Sequence, residues 1–471
     1  MEAELSDRRL VLVSNGEPYK HVYKNDEVEM EKLAGGLTTG LDPMMQEGNG
    51  LWIAWGRGEA DFEVLDDENK IRVPDEKGYT LKRINLSEEE QNGFYYGFSN
   101  EVMWPICHTF ISKAKYDQDY WQTYKKVNQK YALNVEEELQ EGDLVWIHDY
   151  HLALVPGMLK ENNDVDLSLF WHIPWPAWEA FRTIPWREEI LEGLLASDFI
   201  AFHTDLFVYN FLNCAKKIGA EVDFSKQEVS YKGNSTKVMS IPLGIDIESF
   251  ETLAQDEDYL KASKAIKESY GCNKLVFAVD RLDYTKGINE RLNGIGRFFE
   301  KYPEYKGEVT IVQRIAPSRT EVEEYQLMKE TIEKKIAEIN GRFQKDEWVP
   351  VKYFYGSVPQ KDLLPYYKAA DVGLITAVID GMNLVAKEYA AVQDDGVLIL
   401  SEFAGAAQYL DQALQVNPYN IEALADTLYR ALEMDEDEKK KRLEIIKDDL
   451  RKYDINWWRD YFLENWLDYY E

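Results

Sequence analysis

The chain has few cysteines and far fewer positive than negative side chains, and each of these features excludes a class of protein. Its three cysteines, Cys107, Cys214 and Cys272, lie far apart, which excludes a disulfide framework and a paired-cysteine metal site. Its 54 Lys and Arg face 86 Asp and Glu, for a formal net charge of −32 in 471 residues. Because phosphate backbones repel so acidic a chain, a general nucleic-acid-binding role is excluded. The excess of carboxylates is typical of proteins that stay hydrated in a salt-rich cytoplasm.

Targeting signals, long apolar runs and phosphate-binding fingerprints are also lacking. Residues 1–9 are acidic and polar, unlike a signal peptide. No apolar run reaches the ~18–20 residues that span a bilayer, so we expect a cytoplasmic protein with no membrane partner. The absence of GxGxxG and GxxxxGKS disfavours dinucleotide and P-loop sites. His148, Asp149 and His151 lack a further cluster with ligand spacing, so no metal is predicted.

What the sequence does contain is the alternation of short apolar runs and amphipathic stretches that is typical of a parallel sheet covered by helices. Nine runs predict buried strands, at 10–14, 144–148, 167–171, 199–203, 275–279, 309–313, 351–355, 372–376 and 397–400. Six stretches predict helices, at 152–160, 256–270, 289–301, 320–340, 435–447 (solvated) and 457–470. The charged stretch before the strand at 275 divides the chain into two doubly wound α/β domains.

Polar residues follow five of these strands, where open α/β sheets bind ligands. Arg281 and Lys286 lie in one loop, and two fixed cations can stabilise a departing pyrophosphate. The alternative is salt bridges to Asp280 and Asp283. Arg314, with Arg319 soon behind it, follows the strand at 309–313.

A turn at Asp380-Gly381 leads into a predicted helix, whose first amides, from Met382 to Val385, would face an anion. Glu388 suits the two hydroxyls of a ribose, although an ordinary glutamate of a first helical turn has the same spacing.

Residues of the first domain are suited to a sugar. His172 lies in a turn fixed by two prolines and could bind a sugar hydroxyl or assist at a reacting centre, or be a structural histidine. Asp149 could bind hydroxyls, and Gly35-Gly36 lets backbone approach a ligand. The aromatic residues that could cover sugar faces, or simply fill the core, are Trp52, Trp55, Tyr95 and Trp104.

Nine segments together resemble the trehalose-6-phosphate synthase family of retaining glycosyltransferases. They are AGGL (34–37), LWIAWG (51–56), FSNEVMWP (98–105), WIHDYHL (146–152), HIPWP (172–176), DRLDYTKGI (280–288), DGMNLVAKEY (380–389), SEFAGAA (401–407) and VNPYN (416–420). The resemblance implies the GT-B architecture, with two Rossmann-like doubly wound domains facing across a cleft. It predicts an acceptor-binding domain at 1–245, a nucleotide-sugar-binding domain at 246–455, and a C-terminal helix at 456–471 that packs back on the first domain. It implies no metal and no cofactor.

The resemblance also assigns roles to residues. The predicted catalytic residues are Arg281, Lys286 and His172. The predicted donor-binding residues are Gly36, Arg281, Lys286, Asp380, Gly381, Met382, Asn383, Leu384, Val385 and Glu388. The predicted acceptor-binding residues are Trp55, Tyr95, Trp104, Asp149 and Arg319.

One departure from the family falls after the first strand. The family has Ser-Asn-Arg there, with the arginine on the acceptor phosphate, whereas this chain has Ser14-Asn15-Gly16. The loss of a cation facing a dianion is not conservative. The cations that could replace it, beside Arg319, are Lys20, His21, Lys24 and Arg57. The segment 16–19 also resembles glucosylglycerol-phosphate synthases, which use glycerol-3-phosphate.

The predicted activity is transfer of glucose, with retention, from a nucleotide-glucose such as UDP-glucose to glucose-6-phosphate, giving α,α-trehalose 6-phosphate and nucleoside diphosphate. The family mechanism is front-face, with the departing phosphate accepting the acceptor's proton. Three alternatives stay open: a glycerol-3-phosphate acceptor, a nucleotide-sugar epimerase, and a sugar-nucleotide-binding regulator without catalysis. A compatible-solute role suits the acidic composition. Assembly of the chain into a homo-oligomer also stays open.

Overall fold

The computed structural model describes residues 8–33, 36–48, 50–318 and 323–469. The chain divides into two compact units. The first comprises Met1–Leu243 and Asn456–Glu471, and the second comprises Gly244–Ile455.

The first unit is built on a ten-stranded sheet and a separate hairpin. Its strands are β1 Leu10–Gly16, β2 Tyr19–Lys24, β3 Glu27–Lys32, β4 Leu51–Trp55, β5 Lys70–Val73, β6 Tyr79–Ile84, β7 Leu144–His148, β8 Asp166–Phe170, β9 Phe199–Phe202, β10 Glu221–Asp223, β11 Glu228–Tyr231 and β12 Asn234–Ser240. The sheet order is β10-β11-β12-β9-β8-β7-β1-β4-β6-β5, with β2 and β3 forming the hairpin. The stretch from β12 to β6 is parallel. Chain order reverses between β1 and β7, which creates a switch point for ligand binding.

Helices cover this sheet. They are α1 Gly36–Gly48, α2 Glu88–Glu90, α3 Trp104–Cys107, α4 Gln118–Glu136, α5 Val155–Lys160, α6 Trp178–Phe181, α7 Arg187–Leu194 and α8 Asp205–Lys217, with 3₁₀ turns at Ile111–Lys113 and Tyr150–Leu152. A π-helix spans Gln91–Met103. The helix α17, Ile455–Asp468, packs its aromatic side chains against the sheet. The ring centroids of Phe462 and Trp458 lie 4.1 Å and 5.5 Å from that of Trp146 in β7.

The second unit is a six-stranded parallel sheet. Its strands are β13 Lys274–Arg281, β14 Val309–Ala316, β15 Val351–Tyr355, β16 Val372–Ile375, β17 Val397–Ser401 and β18 Leu414–Val416. The order β15-β14-β13-β16-β17-β18 is that of dinucleotide-type doubly wound sheets, with the switch point between β13 and β16. Its helices are α9 Ile247–Leu253, α10 Glu257–Ser269, α11 Ile288–Lys301, α12 Glu323–Phe343, α13 Gln360–Ala369, α14 Leu384–Val392, α15 Ile421–Glu433 and α16 Glu436–Lys452, with 3₁₀ turns at Tyr284–Lys286, Pro303–Tyr305 and Gly405–Gln408.

All nine predicted strands are present, with ends that shift by a few residues. Two helix predictions need correction. The helix predicted at 152–160 begins at Val155, because residues 150–152 form a 3₁₀ turn. The helix predicted as solvated is not wholly so, since Leu443, Ile446 and Leu450 of α16 are buried. Among the described residues, no helix combines the length and the apolar composition needed to cross a membrane.

Candidate active site

The loop after β13 is fixed by its own short-range contacts. The Asp283 carboxylate accepts a hydrogen bond from the Thr285 N–H at 3.0 Å, which caps the turn that ends at Lys286. Gly287 follows with a φ of +62°, and a Cβ there would lie 2.0 Å from the Thr376 carbonyl oxygen. Only glycine fits this position, so the chain turns sharply behind Lys286 into α11.

Lys286 bridges the two strand ends of the switch point. Its Nζ lies 2.6 Å from Oδ2 of Asp380, in the loop after β16. The Asn383 Nδ2 donates to the same oxygen at 2.9 Å. The alternative to a diphosphate site, a salt bridge from Lys286 to Asp280 or Asp283, is not present, because Lys286 pairs with Asp380 and Asp280 pairs with another arginine. The ammonium group is held at the place where this sheet type binds phosphates.

That other arginine, Arg291, was missed by the sequence analysis. It is fully buried and donates to Asp280 at 2.6 Å, to Gln313 and Thr376 at 2.9 Å, and to the Lys286 carbonyl at 3.5 Å. It thus ties β13 and β14, and the loop after β16, to the Lys286 loop. The available signal was its spacing, three residues after Ile288 and four before Ile295, on the apolar face of α11.

The segment after Asp380 forms a helix N-terminus at a slightly later residue than predicted. Helix α14 begins at Leu384, and the side chain of its N-cap, Asn383, accepts from the Ala386 N–H at 3.2 Å. Met382 precedes the helix, with its carbonyl accepting from the Ala406 N–H at 2.8 Å. Leu384 and Val385 supply the first two amides of this helix, at the positive end of its dipole.

Gly381 is held by the segment that carries Gly405. A Cβ on Gly405 would lie 2.0 Å from the Gly381 carbonyl oxygen, so a side chain there would push the loop away from its position. Glycine at this position lets the two loops pack closely enough to fix the start of α14.

Glu388 lies one turn into α14 and is oriented by two donors. Gln360 Nε2 donates to Oε1 at 2.8 Å, and the Tyr367 hydroxyl donates to Oε2 at 3.1 Å. Burial raises the pKa of this carboxyl group. An ionised carboxylate has about four acceptor positions, so the two donors leave capacity for the two hydroxyls of a ligand.

In the first unit, Asp149 and His172 lie together at the ends of β7 and β8. Asp149 has a φ of +73°, which is unusual outside glycine and is a form of strain often found at functional sites. Its Oδ1 accepts from the His172 N–H at 3.1 Å, and burial raises the pKa of the carboxyl to about 7. Burial, with His148 Nδ1 3.2 Å from its Nε2, lowers the pKa of His172. A neutral His172, whose Nε2 faces His148, has its Nδ1 left to donate to or accept from a hydroxyl, according to the tautomer.

Aromatic rings line the neighbouring strand ends. Trp55 ends β4, in register with Gly16 of β1, and its ring lies edge-on to Tyr95 at 5.7 Å. Tyr95 comes from the π-helix and stacks on His151 at 5.8 Å. Trp104 is buried against Tyr150, 6.2 Å away. The structure thus brings Trp55 and Tyr95 together beside the β1–β7 switch point, whereas Trp104 packs on Tyr150.

Three residues of the predicted site are described only in part or lie outside the described ranges. Gly36 is the first residue of α1, while Gly35 and Arg319 lie outside the described residues. In the part of the chain that the structure describes, no group of three His, Cys, Asp or Glu side chains is placed to hold a metal ion.

If Asp149 contacts the hydroxyls of a substrate, the raised pKa of its carboxyl predicts a pH dependence. A carboxylate accepts hydrogen bonds from hydroxyls better when ionised, so kcat/KM for that substrate should rise through about pH 7 and level off above it. In Asp149→Asn the rise in kcat/KM near about pH 7 should be absent. A rise near about pH 6, from the second ionisation of a phosphate monoester substrate, should remain. A profile that is the same in both enzymes would mean that Asp149 does not contact the acceptor.

Comparison with known proteins gives a family and a set of relatives. Residues 8–467 match the profile of Glycosyltransferase family 20. A bifunctional trehalose-6-phosphate synthase/phosphatase of Thermoproteus tenax is 38% identical over 97% of this chain and 63% of its own length. The chain thus spans somewhat less than two thirds of that relative.

Two solved structures match nearly end to end. A UDP-forming α,α-trehalose-phosphate synthase of Burkholderia xenovorans in complex with glucose-6-phosphate has a TM-score of 0.87 at 32% identity, covering 98% of this chain and 100% of its own. A trehalose-6-phosphate protein of E. coli, bound with UDP-2-fluoro glucose, has a TM-score of 0.88 at 33% identity, covering 97% and 98%. The predicted GT-B class, α/β with two Rossmann-like domains, is confirmed.

Proposed function

Since the chain belongs to glycosyltransferase family 20, we propose that it transfers glucose, with retention, from a nucleotide-glucose to glucose-6-phosphate. The products are α,α-trehalose 6-phosphate and a nucleoside diphosphate. The observation that carries the proposal is the Lys286 ammonium fixed on Asp380 at the switch point of the second sheet, where a diphosphate leaving group needs a cation.

On the donor side, UDP-glucose is the proposed substrate, supported by the UDP-sugar bound to the E. coli relative. Arg281 ends β13 and Lys286 follows in the same loop, and both would bind the diphosphate. The amides of Leu384 and Val385 offer donors to an oxygen of the ligand. Glu388, oriented by its two donors, would accept from the ribose hydroxyls.

On the acceptor side, glucose-6-phosphate is supported by the complex of the Burkholderia relative. Tyr95 is partly exposed, and we place it, with the largely buried Trp55 beside it, against the acceptor sugar. Asp149 would accept from its hydroxyls, and the neutral imidazole of His172 would contact a sugar hydroxyl.

The proposed step breaks the bond between C1 of glucose and the diphosphate oxygen while the acceptor oxygen bonds to C1 on the same face. The acceptor's hydroxyl proton passes to the departing phosphate oxygen. Arg281 and Lys286 stabilise the negative charge that develops there. Asp380 is engaged by Lys286 and Asn383, so it positions the lysine instead of attacking carbon.

The acidic composition supports a cytoplasmic role in making a compatible solute. With a formal net charge of −32, the excess carboxylates repel one another in dilute buffer, and salt screens this repulsion. Activity and thermal stability should therefore rise from dilute buffer to molar salt, and a fall in both would contradict this role.

The experiment that tests the proposed function is nucleoside diphosphate release. UDP-, ADP- and GDP-glucose would each be paired with glucose-6-phosphate, glycerol-3-phosphate, glucose or no acceptor. Release that depends on glucose-6-phosphate is the expected result. Dependence on glycerol-3-phosphate would assign another acceptor, conversion of the donor sugar without acceptor would assign an epimerase, and donor binding without turnover would assign a regulator.

A further inference from the structure

Arg57 lies over the aromatic pair Trp55 and Tyr95 near the end of β4. It is exposed, and its guanidinium carbon lies 4.5 Å from the Trp55 ring centroid and 5.1 Å from that of Tyr95. Its Nη2 donates to the Asn15 carbonyl at 3.2 Å, which belongs to the peptide group shared with Gly16. The cation is thus next to the position where the family arginine is missing.

The other three candidate cations are engaged elsewhere. Lys20 pairs with Glu31 at 3.0 Å, and Lys24 pairs with Glu31 at 2.8 Å, both on the β2–β3 hairpin. His21 is buried, with its Nδ1 2.9 Å from Arg83, and burial lowers its pKa, so it is neutral. Over the described ranges of the chain, Arg57 is the one of the four with an exposed charge and no carboxylate partner.

Gly16 leaves the space that a ligand would need. A Cβ built on it meets no atom of the described residues within 4 Å, so the strand end opens beside the guanidinium. We propose that Arg57 binds the acceptor's phosphate in place of the arginine that Gly16 replaces, so that the chain has moved its phosphate-binding cation from β1 to the end of β4. This inference rests on the proposed function, because it needs a phosphorylated acceptor in the first unit.

Hydrogen bonds and aromatic contacts fix the position of Arg57. Its N–H donates to Oε1 of Glu17 at 2.9 Å, and Arg83 donates to Oε2 of the same buried carboxyl group at 2.8 Å. Its side chain lies on two rings, which holds the planar guanidinium while leaving its edge to donate. A guanidinium edge matches two phosphate oxygens at once.

Steady-state kinetics of four variants test the proposal. Arg57→Ala should raise KM for glucose-6-phosphate about 10–100-fold, the range for a lost hydrogen bond to a charged group, with little change in KM for the donor. Arg57→Lys should raise it less. Adding Gly16→Arg to Arg57→Ala should recover most of the loss, since the space at Gly16 is open. Lys20→Ala, a cation of the hairpin, is the matched control and should match the wild type.

Inhibition by inorganic phosphate provides a second readout. Phosphate should compete with glucose-6-phosphate, and its inhibition constant should rise in Arg57→Ala by a factor similar to that of KM. A wild-type enzyme that turns over glucose-6-phosphate, with unchanged KM and unchanged phosphate inhibition in Arg57→Ala, would overturn the role of Arg57 alone. A wild-type enzyme with no turnover of glucose-6-phosphate would overturn the proposed function.

Discussion

Arg281→Ala and Lys286→Ala should each lower kcat about 10²–10³-fold, by analogy with the loss of a donor to a developing oxyanion. The charge on the departing diphosphate is largest in the transition state, so the effect should fall on kcat more than on KM for the donor. Asp380 holds the Lys286 ammonium at 2.6 Å, which fixes this cation at the strand ends. Single-turnover release of nucleoside diphosphate measures the effect on the chemical step.

Arg297→Ala is the matched control, because Arg297 is a partly exposed arginine of α11 that pairs with Glu422 at 2.6 Å. Its kcat should stay within about twofold of the wild type. Near-normal kcat in both Arg281→Ala and Lys286→Ala would contradict their assignment to the leaving group.

Arg291→Leu should lower the free energy of unfolding of the second unit by about 3–5 kcal/mol, the range for breaking a buried ion pair. Arg291 and its 2.6 Å partner Asp280 are both buried, so the variant leaves an unpaired carboxyl group in the sheet. The Lys286 carbonyl loses a donor too, so kcat should fall in the fraction that remains folded. Urea unfolding and kinetics on the same samples measure both.

The double variant Arg291→Leu/Asp280→Leu separates the charge from the packing. Removing both partners should recover most of the lost stability, because no buried charge is then left alone, while kcat stays low if Arg291 positions the Lys286 loop. A loss below about 1 kcal/mol in Arg291→Leu would mean that this pair contributes no more than an exposed one.

The sheet strands were predictable because their signal is local. A strand buried on both faces reads as a continuous apolar run, as in 144–148 and 275–279, and both appear in the structure as β7 and β13. The rule that ligands bind at strand ends then selected Asp149, Lys286 and Asp380, which the structure places at the two switch points.

Other features depend on partners that are distant in sequence. Arg83 is buried because Glu17 and Asp61 reach it, at 2.8 and 3.1 Å, and no local pattern predicts that meeting. Arg291 is likewise buried with partners from other elements, Asp280, Gln313 and Thr376. The π-helix at 91–103 was also missed, because apolar periodicity does not separate its hydrogen bonding from that of an α-helix. Sequence alone likewise could not select Arg57 among the four candidate cations, because the ion pairs that engage Lys20 and Lys24 on the hairpin appear only in the structure.

The covalent structure of the product made from UDP-glucose distinguishes retaining transfer to glucose-6-phosphate from every other reaction considered. Proton and carbon NMR of the purified disaccharide would assign both anomeric centres and the position of the phosphate. The expected product is 1,1-linked, with both anomeric centres α and the phosphate on one C6. A β centre from the donor glucose, or a product without the phosphorylated glucose, would contradict it.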